Sequence, residues 1–320
     1  MSFVKMSMFH WHIVDSQSFP LVIDAFPELA QTGAYSSKKV YTPQDVQDIV
    51  LYAAQEVDMP GHTDIISLSH PDWIACNQAS PWLDFAAEPP AGQLRFSSKD
   101  VVDFASSLVK AELNATGASF DAALDLFIKN VHGSLAEVNK TPVVWEEMVL
   151  EQNVTLSNAT LVIVWVSSEN AAKVAEKNFK IVHGPSDYFY LDCGISEWIG
   201  NTPNSNSWCD PYKSWQHAYT FDPLANLTDA QANLVMGGQQ LLWTEQIGPE
   251  SLDSTVWPRA ATSAETFWTA KQADGSAVDV NTALPCLHEL RYRLLEKGVG
   301  ARAIQPEWCA LRPFACNMEA

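Results

Sequence analysis

Three tryptophans, one tyrosine and two acidic residues stand at the ends of four successive apolar segments of the sequence. The segments are TPVVWEE, LVIVWVS, SDYFYLD and GGQQLLWTE, and the six residues are Trp145, Trp165, Tyr190, Asp192, Trp243 and Glu245. Indole and phenol rings stack on the faces of a pyranose ring, and carboxylates accept hydrogen bonds from its hydroxyl groups. We therefore expect these six side chains to form one saccharide-binding pocket.

The four segments alternate with sequences of helical periodicity, which predicts repeated β–α units. Strands are expected over VVWEE, LVIVWV, FKIVHGPSDYFYLD and VMGGQQLLWTEQ, with helices over ENAAKVAEK and LTDAQAN among them. In a (β/α)8 barrel the carboxyl ends of the parallel strands form one rim, which carries the functional side chains. The pattern therefore predicts an α/β fold of the (β/α)8 TIM-barrel type, with the six residues on its active face.

The first half of the chain supplies fewer strands than a complete barrel needs. Residues 4–15 (VKMSMFHWHIVD) predict a buried strand, and a helix over SSKKVYTPQDVQDIVLYAAQ follows, with Thr42 as N-cap and Pro43 at its first position. Because this helix runs directly into EVDMPGHTD, only a stub of strand near Val57 is expected there. Residues 63–98 are predicted to form a long loop.

Two helices then follow each other without an intervening strand. The helix over KDVVDFASSLVKAEL, capped by Ser97 or Ser98, is separated only by NATGA from a helix that starts near Ser119. A repeating βα pattern requires a strand at this position. The sequence therefore predicts six strands where eight are needed, in a single domain over residues 1–320.

Composition argues against several classes of partner. The chain has 320 residues, 47% of them hydrophobic, and a formal net charge of −19 from 19 Lys and Arg against 38 Asp and Glu. This charge repels phosphate backbones and anionic membrane surfaces, so we expect neither nucleic acid nor a membrane as a partner. No apolar stretch reaches the ~20 residues of a membrane span.

Cysteine spacing and glycosylation sequons indicate a secreted protein. Two cysteine pairs are close enough in sequence for local disulfides: Cys193 with Cys209, and Cys309 with Cys316. Cys76 and Cys286 have no obvious partner. Asn-x-Thr sequons begin at Asn114, Asn139, Asn153, Asn158 and Asn226. The N-terminus has no signal-peptide pattern and resembles a strand already under way, so the chain is expected to begin inside a longer domain.

Histidines and carboxylates also lie close together in HWHIVD and DMPGH. The set His10, His12, Asp15, Asp58 and His62 contains metal-ligand types, but its spacing matches no common metal motif. His10 and His12 alternate along one strand, which is more typical of hydrogen-bonded core histidines. We therefore expect no metal and no other cofactor.

Six motifs, in this order along the chain, resemble glycoside hydrolase family 20, the β-N-acetylhexosaminidases, and especially the secreted fungal enzymes that act on chitin oligomers. The motifs are HWHIVDSQSFP, DMPGH, VVWEEM, YFYLD, LLWTEQ and VWPRAATSAETFW. The resemblance implies metal-free exo-hydrolysis of terminal β-linked N-acetylglucosamine or N-acetylgalactosamine with retention, and a homodimer as in many relatives. It also implies that Trp145, Trp165 and Trp243 wall the sugar, that Tyr190 binds the acetamido oxygen, and that Asp192 and Glu245 accept sugar hydroxyls.

Catalysis in this family depends on an adjacent Asp-Glu pair in a His-x-Gly-Gly-Asp-Glu motif that ends strand 4. The 2-acetamido oxygen of the substrate attacks the anomeric carbon, while Glu protonates the leaving oxygen and Asp orients the acetamide. No Asp-Glu pair occurs in this sequence, so no catalytic residue of the family is retained. By resemblance, Asp15 and His62 form a relay for the missing glutamate. Glu147 is a weak surrogate acid, and a structural carboxylate is the favoured interpretation of it.

The resemblance further indicates which barrel strands are incomplete. Strand 1 is expected to precede Met1, strand 3 to be truncated between Gln55 and Glu56, and strand 4 to be absent near LVKAELNATGA. The sequence thus predicts an N-terminally truncated, internally deleted catalytic domain with little or no turnover. Two alternatives stay open: a non-catalytic N-acetylglucosamine-binding protein, and a mis-spliced fragment that does not fold alone.

Overall fold

Contacts between residues that are distant in sequence divide the chain into two units. The N-terminal unit comprises Met6–Lys140 with Asn153–Leu156, and the C-terminal unit comprises Met1–Lys5, Thr141–Gln152 and Ser157–Ala320. The structure, a computed structural model, describes residues 1–50, 53–109, 120–195, 198, 208–269 and 276–318. Within these ranges, no helix combines the length and the apolar content that crossing a membrane requires.

The N-terminal unit contains two pairs of short strands. Strands β1 (Phe9–His12) and β2 (Ala53–Glu56) pair in parallel, and β3 (Ile74–Ala75) and β4 (Gln93–Leu94) pair antiparallel. The predicted long loop over residues 63–98 is therefore wrong in part, because it contains the β3–β4 pair. It also contains 3₁₀ turns at Asp64–Leu68, Pro71–Trp73 and Trp82–Asp84.

The predicted stub of strand near Val57 is wrong in position. Strand β2 occupies Ala53–Glu56, and helical periodicity assigned its first three residues to the preceding helix. It spans the predicted truncation between Gln55 and Glu56. Every residue of β2 lies opposite a residue of β1, from Phe9 opposite Ala53 to His12 opposite Glu56. Pairing with a distant strand therefore overrides the helical preference of Ala, Gln and Glu.

The helices of the N-terminal unit pack beside these strands. They are α1 (Pro27–Gly33), α2 (Pro43–Val50), α3 (Lys99–Val109) and α4 (Phe120–Glu137). Helix α2 begins as predicted, since the Thr42 hydroxyl accepts a hydrogen bond from the Asp45 N–H (3.2 Å). Helix α3 packs against α4, with Phe104 and Phe127 buried. The predicted site of the missing strand 4, residues 110–119, lies outside the described residues.

A four-stranded parallel sheet is the centre of the C-terminal unit. Its strands are β5 (Val143–Trp145), β6 (Leu161–Val164), β7 (Lys180–His183) and β8 (Val235–Gly238), hydrogen-bonded in that order. Val162, Val164 and Ile181 are fully buried, as apolar runs in a parallel sheet require. This α/β arrangement confirms the predicted series of four parallel strands, while an incomplete (β/α)8 barrel stays a prediction.

Helices and one-turn helices connect and follow these strands. They are α5 (Glu147–Leu150), α6 (Asn170–Glu176), α7 (Ser186–Phe189), α8 (Trp215–Tyr219), α9 (Asp229–Ala232), α10 (Pro249–Val256), α11 (Arg259–Thr269), α12 (Val280–Glu296) and α13 (Glu307–Ala310). Helices α6 and α9 confirm those predicted over ENAAKVAEK and LTDAQAN. Both predicted disulfides are present, Cys193–Cys209 and Cys309–Cys316, while Cys76 and Cys286 are exposed free thiols.

The predicted ends of two strands are wrong. SDYFYLD and GGQQLLWTE were expected to be strands throughout, but β7 ends at His183 and β8 at Gly238. Residues Ser186–Phe189 form the one-turn helix α7, and Pro185 is its N-cap in an extended conformation. A parallel bridge between Tyr190 and Leu241 then brings the two chain segments together again beyond the strands.

Two glycine substitutions, one in each unit, test the local packing around each glycine. A Cβ at Gly238 in β8 would lie 2.0 Å from the Phe267 ring, whereas a Cβ at Gly133 in α4 would meet nothing within 4 Å. We expect Gly238→Ala to lower the free energy of unfolding by about 1–3 kcal/mol through overpacking. We expect Gly133→Ala to raise it by about 0.5–1 kcal/mol through helix propensity. Urea unfolding of both variants measures this, and an unchanged midpoint for Gly238→Ala would contradict the packing at β8.

Candidate saccharide-binding site

Four aromatic side chains of the C-terminal unit contact each other in a closed ring, called here the aromatic ring. The ring centroids of successive members, Trp145, Trp165, Tyr190 and Trp243, are 6.1, 6.4 and 6.5 Å apart, and Trp243 returns to Trp145 at 6.3 Å. The four predicted aromatic site residues therefore come together. They pack on Leu241 and on the Cys193–Cys209 disulfide, all three of which are buried.

The order of the parallel strands explains how these four residues meet. Trp145 is the last residue of β5, and Trp165 directly follows β6. Tyr190 directly follows α7 and forms the parallel bridge with Leu241. Trp243 lies two residues beyond Leu241. Because β5, β6, β7 and β8 are parallel neighbours, the segments that leave their carboxyl ends emerge on one edge of the sheet.

The members of the aromatic ring differ in accessibility. The three tryptophans are half-buried, whereas Tyr190 is only 2% exposed. The Trp243 side chain forms a hydrogen bond with the Tyr190 hydroxyl, and the only N–H of an indole must donate it. Burial raises the pKa of Tyr190 far above its ordinary value, so the phenol stays protonated and able to donate. The hydroxyl thus accepts from Trp243 and keeps its own proton for a second partner.

Two predicted acidic residues lie beside the aromatic ring in different environments. Asp192 is half-buried, and its Oδ1 accepts a hydrogen bond from the Trp243 backbone N–H (3.1 Å). Burial raises the pKa of Asp192, and this hydrogen bond partly opposes the rise. Glu245, two residues after Trp243, is exposed. Asp192 is therefore fixed against the ring, whereas Glu245 faces solvent.

Glu146 and Glu147, the acidic pair of VVWEEM, both accept hydrogen bonds from Trp165. The Glu147 carboxylate accepts a hydrogen bond from the Trp165 indole N–H (2.9 Å), and the Glu146 carboxylate accepts one from the Trp165 backbone N–H (2.9 Å). Glu146 also accepts from the Asn170 side chain at 2.6 Å, and burial raises its pKa. Glu147, the predicted weak surrogate acid, thus contacts the aromatic ring as a structural acceptor.

Two residues of this region were missed by the sequence analysis. Trp208 is 58% exposed and makes edge contacts with Trp165 (5.4 Å) and Tyr190 (5.8 Å), held in place by its neighbour Cys209. Its position beside a disulfide cysteine was the available signal. Arg259, in the motif VWPRAATSAETFW, is buried and bonds the Leu191 carbonyl, next to Tyr190 and Asp192. No sequence pattern indicated that contact.

The histidines predicted from HWHIVD and DMPGH form an ion-pair network in the N-terminal unit. Glu56 accepts hydrogen bonds from His10 and His12, each at 2.9 Å, across the β1–β2 pair. Asp15 accepts from His62 at 2.9 Å and lies 3.3 Å from His12. The expected relay pair Asp15 and His62 is therefore in contact.

Hydrogen bonds to carboxylates raise the pKa values of two histidines in this network. Burial alone would lower the pKa of His12 and His62, but hydrogen bonds to carboxylates outweigh it and raise the two pKa values to about 10 and about 11. Burial, aided by the charge of Glu56, raises the pKa of Asp58 to about 6. Ligand atoms of His12, Glu56 and Asp58 lie within 4.8 Å of one another, as a metal site requires. In the metal-free protein, the raised pKa values favour ion pairs of protonated His12 and His62 with the neighbouring carboxylates at neutral pH.

Comparison with known proteins places the chain in a family. A sequence model described as glycosyl hydrolase family 20, catalytic domain, matches residues 1–117 and 109–271, which together exceed half of the chain. The chain belongs to glycosyl hydrolase family 20. This confirms the resemblance inferred from the six motifs.

Relatives within family 20 match nearly all of the chain. A β-hexosaminidase of Arthroderma benhamiae is 30% identical over 371 residues, which cover 99% of this chain and 61% of that protein. A chitooligosaccharidolytic β-N-acetylglucosaminidase of Bombyx mori is 28% identical and covers 99% of this chain and 60% of its own length. This family 20 chain therefore spans about three fifths of the length of these relatives.

A solved family 20 structure has the same fold. The β-N-acetylhexosaminidase of Streptomyces coelicolor superimposes with a TM-score of 0.73 at 25% identity, over 96% of this chain and 66% of that one. The likeness extends over both units of the chain. It supports the α/β assignment that the strand order gives.

Proposed function

We propose that the aromatic ring of this family 20 chain binds a terminal β-linked N-acetylhexosamine residue, N-acetylglucosamine or N-acetylgalactosamine. The observation that carries the proposal is the closed contact of Trp145, Trp165, Tyr190 and Trp243 beside the Asp192 carboxylate. Apolar faces with a few fixed polar groups are the general composition of a sugar-binding site. The names of the relatives, a β-hexosaminidase and a chitooligosaccharidolytic β-N-acetylglucosaminidase, support the same substrate class.

The side chains have distinct tasks in this proposal. The half-buried faces of the three tryptophans contact the pyranose ring, while Asp192 and Glu245 accept hydrogen bonds from its hydroxyl groups. The Tyr190 hydroxyl donates a hydrogen bond to the acetamido oxygen. Because the hydroxyl accepts from the Trp243 indole N–H, its own proton remains available for that hydrogen bond.

We further propose that hydrolysis by this chain is slow or absent. The family reaction, exo-hydrolysis with retention, uses the acetamido oxygen as nucleophile and an adjacent Asp-Glu pair, and the sequence contains no such pair. In this proposal Glu147 is a structural carboxylate, since it accepts a hydrogen bond from the Trp165 indole N–H. This leaves a sugar-binding protein derived from a glycoside hydrolase domain, the first alternative raised by the sequence.

An internally shortened catalytic domain accounts for the missing pair. The alignment with the Arthroderma benhamiae relative is 371 residues long, whereas this chain has 320 residues, so that relative has residues without a counterpart here. The family model also matches in two segments, residues 1–117 and 109–271, and not in one continuous match. Both observations support lost segments between the motifs, with strand 4 among them, and an incomplete (β/α)8 barrel.

We also propose that the protein is a secreted glycoprotein. Two disulfides suit an oxidising compartment. The four sequon asparagines in the described residues, Asn139, Asn153, Asn158 and Asn226, are all exposed and can accept a glycan; Asn114 lies outside the described residues. A homodimer is proposed from the family resemblance alone. Treatment of the secreted protein with an N-glycosidase tests the modification by a loss of mass.

Replacement of Trp243 tests the proposed sugar site. We expect Trp243→Ala to weaken the binding of N-acetylglucosamine by at least about tenfold, because it removes one stacking wall and the hydrogen bond to Tyr190. Binding is measured by NMR titration of the indole N–H resonances. Trp308→Ala is the matched control, since Trp308 is an exposed tryptophan of α13.

The choice of sugar separates this proposal from non-specific stacking. Glucose lacks the acetamido group, so it is expected to bind more weakly than N-acetylglucosamine to the unaltered chain. Equal binding of both sugars, or equal loss in Trp243→Ala and Trp308→Ala, would refute recognition of an N-acetylhexosamine by the aromatic ring. A chain without cooperative unfolding would instead support the fragment that does not fold alone.

A further inference from the structure

Arg259 is a buried cation at the start of α11, and one of its contacts is with the residue that follows Tyr190 of the aromatic ring. Its side chain is 7% exposed. The guanidinium donates hydrogen bonds to the carbonyls of Leu191 (2.5 Å), Lys213 (2.9 Å) and Thr255 (3.1 Å). It also lies over the Tyr212 ring, 4.3 Å from the centroid. One side chain thus joins the segment after α7, the segment after Cys209, and α10.

The bond to Leu191 acts on the two site residues beside it. Leu191 lies between Tyr190 and Asp192, and its own N–H donates to the Leu241 carbonyl (2.9 Å). With both its N–H and its carbonyl bonded, Leu191 fixes the backbone from which Tyr190 and Asp192 project. Gly194 follows with a φ of +69°, and a Cβ there would lie 2.1 Å from the Tyr212 backbone nitrogen. This turn is therefore packed directly against the residue whose ring Arg259 covers.

The charge of Arg259 also acts on Asp192. The groups bonded to the guanidinium in the described structure are uncharged carbonyls, so its positive charge remains available to a nearby carboxylate. Burial raises the pKa of Asp192, while the Trp243 backbone N–H and the charge of Arg259 lower it. Burial correspondingly lowers the pKa of Arg259, and Asp192 opposes that shift.

We propose that Arg259 is a positioning residue of the saccharide site, which fixes the Leu191–Gly194 turn and favours the ionised form of Asp192 as an acceptor for sugar hydroxyls. The inference rests on the proposed function, because it names the group that prepares Asp192 for the sugar. A guanidinium suits this task better than an ammonium, since its planar fork bonds several carbonyls at once and retains its charge when buried.

Other ionisable groups around this turn do not replace Arg259. Tyr190 is protonated, and the charges of Glu146, Glu147 and Asp192 all act to raise its pKa further. The positive charge of Arg302 lowers the pKa of Arg259, whereas Tyr212 raises it. Lys213 carries a buried ammonium whose electrostatic partners are Asp187 and Asp210. Among the described residues, Arg259 is thus the cation whose charge lowers the pKa of Asp192.

The affinity of the chain for N-acetylglucosamine, measured as a function of pH, tests the proposal. In the unaltered protein, affinity should fall as the pH decreases through the pKa of Asp192. Arg259→Gln removes the charge, so we expect the midpoint of this fall to rise by about one pH unit. Arg259→Lys keeps the charge but loses the fork, so we expect weaker binding at all pH values with an unmoved midpoint. In Asp192→Asn the dependence on this pKa should disappear.

Direct titration of Asp192 keeps the test independent of sugar binding. The side-chain ¹³C carboxyl resonance of Asp192, assigned by comparison with Asp192→Asn, reports its ionisation in the free protein. An Asp192 that is protonated at neutral pH in the unaltered chain, or one with the same midpoint in Arg259→Gln, overturns the proposal. If Arg259→Gln does not fold, the titration of the unaltered chain decides. A shifted carboxyl titration without any sugar binding would support the role of Arg259 and refute the proposed function.

Discussion

An aryl β-N-acetylglucosaminide is expected to be hydrolysed by this chain at least about 10⁴-fold more slowly than by a family 20 enzyme that has the Asp-Glu pair. A positioned general acid contributes about 10²–10⁴ in rate, and losing the carboxylate that orients the acetamido nucleophile removes a further factor. In the proposed function, the aromatic ring binds the substrate but contains no carboxylic acid that could protonate the leaving oxygen. Release of the aryl alcohol, followed by absorbance at saturating substrate, measures the rate.

Glu147 provides the sharpest control for that experiment. If Glu147 acted as a surrogate acid, turnover would stay within about tenfold of the family rate and would be lost in Glu147→Gln. Glu146→Gln is the matched control variant. The Glu146 carboxylate also accepts a hydrogen bond from Trp165, but from the backbone N–H of Trp165 and not from its indole N–H. A measurable rate that falls in Glu147→Gln and not in Glu146→Gln would show that the chain is a working glycosidase.

Residues with local signals could be placed from the sequence. The start of α2 was predictable because Thr42 and Pro43 act within one turn of the chain. The Cys193–Cys209 disulfide was predictable because its cysteines are 16 residues apart, and the Cys309–Cys316 disulfide because they are 7 apart. In each case the interacting groups are close in sequence, so no knowledge of the tertiary structure is needed.

Strand β2 shows where such reasoning fails. Ala53–Glu56 consists of residues that favour helices, and its extended conformation comes from pairing with Phe9–His12, more than forty positions earlier. The run SDYFYLD failed for a related reason. A short apolar segment does not distinguish a strand from a buried helical turn, and Ser186–Phe189 forms the helical turn α7.

The candidate site was predictable in its members and not in its internal contacts. Aromatic residues at the ends of neighbouring parallel segments meet whatever their exact register, so Trp145, Trp165, Tyr190 and Trp243 came together as predicted. The engagement of Glu147 with Trp165, and of Arg259 with Leu191, depends on side-chain directions that no periodicity encodes. Those contacts bear most directly on whether the site catalyses or only binds.

The stability of the C-terminal unit is expected to fall as the pH decreases from about 6.5 to 4, because of His183. This residue ends β7, is 2% exposed, and contacts the rings of Phe221 and Phe267. Its Nε2–H donates to the Pro223 carbonyl, while Nδ1 has no hydrogen-bond partner within the described structure. Protonation of Nδ1 would place a charged donor among aromatic rings, so burial lowers the pKa of His183 to about 4.

The sign and size of the effect follow from that pKa. Because the native pKa lies below the unfolded value of about 6.5, the unfolded chain binds more protons between pH 4 and 6.5, so acidification favours unfolding. His183 alone should thereby remove about 3 kcal/mol of stability across this range. Glu146 and Asp192 act in the opposite sense, because burial raises their native pKa values.

The difference in stability between the unaltered chain and His183→Phe, which keeps the aromatic contacts, isolates the contribution of the histidine. Urea unfolding at pH 7 and pH 4.5 should show a clearly smaller loss in His183→Phe, and a His183 resonance that titrates near pH 6.5 would contradict the prediction.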